Sequence, residues 1–345
     1  MQLDFSNVQL IRTSVHQVGN SLREEELILS QEPLQIESEM IKALLMKFFL
    51  SPFKSPVLYN LSGTDEENRI LANCREIFQD KNNREIFHLY SKSLAGILYS
   101  KSDLPQIKSG ELYVAYFMDC VLDDELVDAI GIFKSEHKDT YLKVNAQEGE
   151  NLDSNFAINY DSGLNINNLD KGCLIFNTDS ENGFAVSIFD NSNNKFWKDT
   201  FLKVKERADS HYYTKNYLEL CKDFINNGGE ENPVEQLENT QKLLQYFKEN
   251  KDFDLGIFEE EVIIDEKKLE SFRAHKAKFE EEHEIQMPTT FEIASAALKK
   301  EKLAQEINLD NKVLIKVKNT NVIIKRGFDD ILGQKFYQIY YDEEK

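Results

Sequence analysis

Five carboxylates crowd one short stretch of this chain: Asp119, Asp123, Asp124, Glu125 and Asp128. Acids gathered at a turn can hold magnesium for phosphodiester cleavage. No Lys or His lies at the spacing of a nuclease motif, and solvated acids are also ordinary turn residues. Both readings of the cluster therefore stay open. Cationic stretches offer a different chemistry, the neutralisation of phosphate. Residues 312–335 hold Lys312, Lys316, Lys318, Lys325, Arg326 and Lys335 against only Asp329 and Asp330. Within Lys312–Lys318 the residues Val313, Ile315 and Val317 alternate with Lys312, Leu314, Lys316 and Lys318, so a strand here would project its lysines from one face. A C-terminal hairpin of this kind can track a duplex backbone. The same lysines also keep an exposed sheet edge from pairing. A second basic run spans residues 195–222, with Lys198, Lys203 and Lys205 among seven cations facing four acids. Phe196, Trp197 and Phe201 interleave with it. Aromatic rings beside cations can stack on bases, but this spacing suits the packed side of a helix better.

Other reactive types are sparse. His275 and His283 lie eight apart on a charged stretch without an HExxH pattern, which fits a solvated pair better than zinc. His16 follows Arg12 on the opening strand and reads as ordinary surface or a phosphate contact. Cys74, Cys120, Cys173 and Cys221 are scattered singly, as reduced thiols in or near a core. Neither GxxxxGK[ST] nor GxGxxG occurs. No cofactor and no metal are expected.

The elements that must position these residues follow from periodicity. VQLIRTSV from Val8 and LILS from Leu27 alternate as strands, and Met40, Ile41, Leu44, Leu45, Phe48 and Phe49 form a helical stripe. Thr64 and Glu67 make a capping-box signal ahead of Ile70, Leu71, Cys74, Ile77 and Phe78. A third helix carries Ile86, Phe87, Tyr90, Leu94, Ile97 and Leu98. From Gly110 the period falls to two, with Tyr113, Ala115 and Phe117 on one face and Val114, Tyr116 and Met118 on the other. Apolar residues on both faces predict a strand covered on both sides. Strands continue to Phe189, with Glu181-Asn182-Gly183 as a tight turn. Helices resume past Trp197, break at Gly228-Gly229 and restart at Asn232-Pro233. Acidic helices are predicted near residues 253–264 and 265–283, and Thr289 with Glu292 suggests the start of a last helix. KVLIKVK, NVIIKR and KFYQIYY then close the chain as three strands. The result is an α+β fold: a mostly helical N-terminal region (1–104), a central antiparallel β-rich region (105–228), and an acidic helical region ending in a small β-sheet (229–345).

The 345 residues carry a net charge of −20, which opposes nonspecific DNA binding because that affinity comes from cations. The acidity is local. Residues 223–292 hold 8 basic against 19 acidic side chains. Such a segment is a solvated face, a docking surface for a basic partner, or a phosphate mimic. Neither a membrane-length apolar run nor an export signal is seen, so a cytoplasmic chain is expected.

Several strings together resemble a bacterial family. They are GELYVAYFMDC from Gly110, VDAIGIFKSEHKDTYLKV from Val127 and KGCLIFNTDSENGFAVSIFDNSNNKFWKDTFLKVKER from Lys171, with DFSNVQLIRTSVHQVGN, FFLSPFK and KFYQIYYDEE extending the likeness along the chain. They are similar to nucleoid-associated proteins of the YejK/NdpA type. The resemblance implies a nucleoid location, non-catalytic binding of double-stranded DNA with little sequence preference, and contact with type II topoisomerase or another basic protein. The alternative is an acidic protein-binding module without direct DNA contact, and a metal-dependent nuclease is a further one. The family supplies no residue motif, so the DNA-binding candidates rest on charge and period alone: Lys312, Lys316, Lys318, Lys325, Arg326, Lys198, Lys203 and Lys205.

Overall fold

The computed structural model describes residues 3–54, 57–147, 155–192, 195–227, 233–298, 305–310, 312–317, 323–341 and 343. Lys318, the Gly228-Gly229 break and the Asn232 cap lie outside them. The fold is mixed α+β and divides into two compact units, Met1–Arg207 and Ala208–Lys345.

The first unit is built on one antiparallel sheet. Its strands are β1 (Leu3–Asp4), β2 (Gln9–Val18), β3 (Leu27–Ile28), β4 (Tyr59–Leu61), β5 (Gly110–Leu122) and β6 (Glu125–Ser135). A separate ribbon, β7 (Asp139–Gln147) and β8 (Asn155–Gly163), precedes β9 (Lys171–Phe176), β10 (Ala185–Asp190) and β11 (Val204–Glu206). The sheet order is β11-β4-β10-β9-β6-β5-β2-β3, with β1 on the far end of β5. Alternation along β5 feeds two cores. Val114 and Tyr116 join Ile130, Ile132, Cys173 and Ile175 under the helices α2 (Arg69–Gln79) and α3 (Arg84–Lys101). Tyr113, Ala115 and Phe117 join Phe133, Leu174 and Phe176 under α1 (Glu39–Leu50). The strand is covered on both sides, as its sequence predicts. Gly131 lets the second core close up: Phe49 stacks on Phe133 at 4.4 Å, and a Cβ on Gly131 would run into the Phe133 ring.

Helix starts are set by side-chain caps. Ser38, Asn68 and Asn83 each accept from backbone N–H groups of the first turn of α1, α2 and α3. The Thr64–Glu67 signal is displaced from its predicted role. Thr64 N–H donates to Glu67 Oε2 at 2.8 Å, but this closes a turn, and Asn68 is the cap of α2. Asn68 wins because its buried amide also donates to Ser62 O at 3.1 Å and Leu202 O at 3.0 Å, tying the helix start to a distant segment.

The second unit contains α4 (Ser210–Asn227), α5 (Pro233–Glu249), β12 (Asp252–Asp254), α6 (Leu255–Phe258), α7 (Glu266–Glu282), β13 (Thr290–Glu292) and α8 (Ser295–Leu298). Tyr217, Leu220, Leu244, Phe247, Phe253, Phe258 and Phe272 form its core. Thr289 and Glu292 do not open a helix. Residues 290–292 pair with β12, because Phe291 stacks on Phe253 at 4.8 Å and Tyr217 at 5.3 Å, and that burial outweighs the local cap signal. The chain ends in β14 (Gln305–Leu309), β15 (Val313–Val317), β16 (Ile323–Asp329) and β17 (Gln334–Tyr340). Val317 and Ile324 pack with Val234 and Leu237 of α5.

Candidate nucleic-acid interface

In the first unit the cations gather around a π-helical segment, Phe196–Leu202. Phe196, Trp197, Phe201 and Leu202 are buried in the core beneath α2 and α3, with Trp197 and Phe201 rings 4.6 Å apart. These aromatics are therefore anchors and cannot stack on bases. Burying them leaves Lys198, Asp199 and Thr200 on the outer side. Lys198 Nζ sits 4.1 Å from the centroid of the Tyr59 ring, a cation–π contact that leaves its charge at the surface. Lys203 ends the segment in the left-handed conformation (φ 54°) and donates from Nζ to Glu67 O at 2.8 Å. Lys205 is exposed on β11. Lys101, which the periodicity reading passed over, reaches in from the last turn of α3 and donates to Thr200 O at 2.6 Å. Its ammonium pKa is held below the ordinary lysine value, first by burial and then by repulsion from Lys203. No local sequence signal marks it, since only the fold brings the end of α3 to Thr200.

In the second unit the predicted single hairpin resolves into two ribbons. β15 pairs with β14, and β16 pairs with β17. Sequence reading missed β14, whose Ile307 and Leu309 alternate in register with Ile315 and Val313. Lys312 lies in the turn before β15, and Lys316 is exposed on the face opposite buried Val317. Lys325 sits with its Nζ 5.4 Å from the Tyr340 ring, while Arg326, the next residue, projects from the other face of β16. The cations of this region thus divide between two ribbons and two faces.

The other candidates acquire structural partners. Asp123 and Asp124 both adopt positive φ and form the β5–β6 turn, while Asp119 accepts from Gln9 Nε2 at 2.7 Å. Asp128 accepts from Tyr116 Oη at 2.7 Å and from Lys81 Nζ at 3.0 Å. The carboxylates are spread along a hairpin, and among the described residues no three His, Cys, Asp or Glu side chains form a cation site. His275 pairs with Asp223 at 3.0 Å, and His283 stacks on Phe279 as the C-cap of α7. His16 is not surface. It is buried against α3, with Ser30 N–H donating to its Nδ1 at 3.2 Å and Ser91 Oγ 3.0 Å from its Nε2. All four cysteines are buried and free. Among the described residues no helix is long and apolar enough to cross a membrane.

The family model NA37, described as nucleoid-associated protein YejK, matches residues 14–345 of the chain. No curated protein matches it.

Proposed function

Because the chain belongs to the NA37 family of bacterial nucleoid-associated proteins, we propose that it is a non-catalytic protein that binds duplex DNA through phosphate contacts with little sequence preference. The observation that carries this reading is the convergence of Lys101, Lys198, Lys203 and Lys205 on one π-helical turn and the strand after it, in a chain of net charge −20. Lysines held this way present charge without base-reading geometry, which suits backbone contact. Lys312, Lys316, Lys325 and Arg326 of the terminal ribbons form a second group in the same role, with Lys318 assigned to it by sequence alone. Replacing Lys198, Lys203 and Lys205 by Gln should flatten the dependence of log K on log salt by about 0.9 for each phosphate left without its cation. Gln at Lys312, Lys316, Lys325 and Arg326 should do the same for the second group. Affinity and slope unchanged in both variants would refute the proposal. Supercoiled plasmid should stay intact with magnesium at high protein concentration, and nicking would restore the nuclease reading.

A second reading rests on the acidic surface of α7 and of the π-helical segment Glu259–Ile263 before it. Glu260, Glu261, Glu270, Glu281 and Glu282 are exposed, whereas Glu259 is buried and held by Arg273 at 2.6 Å. A surface of this sign suits docking of a basic protein such as a type II topoisomerase, which would make the molecule an adaptor. Lys in place of Glu260, Glu261, Glu281 and Glu282 should release such a partner without changing the salt slope for DNA.

A further inference from the structure

The β7–β8 ribbon leaves the main sheet and carries two unlike faces. One presents Tyr141, Lys143 and Asn145 beside Asp161 and Asn159, with Lys143 and Asp161 paired at 2.6 Å. The other is wholly apolar across three cross-strand pairs: Leu142 with Tyr160, Val144 with Ile158, and Ala146 with Phe156. Its five large side chains are 62% to 78% exposed. Alternation of this kind belongs to a ribbon with one face packed, and a lone two-stranded ribbon is marginal in water. The base is firmly held. Asp170 accepts from the Glu136 and His137 N–H groups, Asn165 Nδ2 donates to Asp139 at 2.8 Å, and buried Lys171 donates to Glu136 at 2.6 Å.

We propose that this face is a dimerisation surface, covered by the same face of a second copy of the chain. Area supports that occupant. At roughly 200 Å² for a large apolar side chain in the open, the exposed fractions leave about 700 Å² per copy, close to the ~800 Å² that each partner contributes to a stable interface. Shape supports it too. A two-fold axis lying in the interface, across the strands and through the Val144–Ile158 pair, lays β7 on β7 in reverse. Leu142 then covers Ala146 of the partner subunit, so a large side chain meets a small one. Tyr160 meets Phe156 of the partner subunit, and Val144 faces its own equivalent. Charge disfavours a lipid surface: the strands hold one cation, Lys143, against Asp139 and Asp161, and residues 148–153 of the connecting sequence add Glu148, Glu150 and Asp153.

Sedimentation velocity of the full chain at micromolar concentration tests the arrangement. The wild type should run at the mass of two chains, Ile158→Lys at half that mass, and Asn159→Lys, on the polar face, at the full mass. Because the native cysteines are buried, a bismaleimide spanning the ~10 Å between packed sheets should join Val144→Cys chains into dimers and leave the wild type unjoined. A one-chain wild type, a dimer indifferent to Ile158→Lys, or an unjoined Val144→Cys protein would overturn the proposal. So would flotation with phosphatidylglycerol vesicles that Ile158→Lys abolishes, since that result gives the face to lipid.

Discussion

His16 and His88 show how a buried polar pair can set acid sensitivity. Ser30 N–H occupies His16 Nδ1, which places the ring proton on Nε2, and Ser91 hands its own hydroxyl proton to His88 O at 2.7 Å. His88 donates from Nε2 to Ser30 O at 3.1 Å and so accepts from Ser14 Oγ at 2.9 Å. These contacts fit neutral rings, with the acceptor nitrogen of each already engaged. Burial first, then the repulsion that His88 would exert once protonated and that of Lys92, lowers His16 from 6.5 to about 4. Burial also lowers His88, against the Ser30 carbonyl and with Lys92 and Arg84 nearby. The unfolded chain therefore binds more protons over this window, and stability should fall as pH drops from about 6.5 to about 4. Thermal melts across that range check it, and His16→Gln should flatten the slope. Lys134 poses a different problem, since it is fully buried with Glu136 at 3.4 Å. Burial lowers its pKa, opposed chiefly by Glu136. Glu136→Gln leaves Lys134 and Lys171 without their shared carboxylate and should cost about 3–5 kcal/mol in chemical denaturation, while Lys134→Met should cost far less. Gly131→Ala forces the Phe133 ring aside and should cost about 1–3 kcal/mol.

Among the elements, the long β5 strand was legible because both faces of Tyr113–Met118 are apolar, even though its register with β6 shifts between Phe117 and Cys120, where Asp119 takes positive φ. α1, α2 and α3 were legible from their stripes. What escaped local reading was decided by contacts far away in sequence. The Phe196–Leu202 segment has helical spacing, but nothing in its sequence announces a π-helix, whose wider turn seats four side chains in a core supplied by α2, α3 and the sheet. Phe291 likewise belongs to a strand only because Phe253 and Tyr217 wait for it. Of the candidate site, the charges of Lys198, Lys203 and Lys205 could be read directly. Their neighbour Lys101, 97 residues before Lys198, could not, because only the fold brings α3 to Thr200. Asn68 links these elements. Asn68→Ala removes the α2 cap and the bond to Leu202 O, so it should lower stability by about 2 kcal/mol and loosen the lysine cluster, read as faster amide exchange at 198–203.

At the level of the whole molecule, the proposed DNA binding requires a strongly anionic chain to meet a polyanion through a few local cations, so that association should weaken steeply with salt and leave little affinity without those lysines. The sheet at the heart of the first unit has another consequence. Its outermost strands on the main path are β3, of two residues, and β11, of three. β3 covers only Gln17 and Val18 of the ten-residue β2, so the border there is β2 itself, where Leu34 N–H already donates to Thr13 O at 2.7 Å. An incoming strand would have to displace that segment before it could extend the sheet, so the guard on this border is a loop and not a shortage of strand.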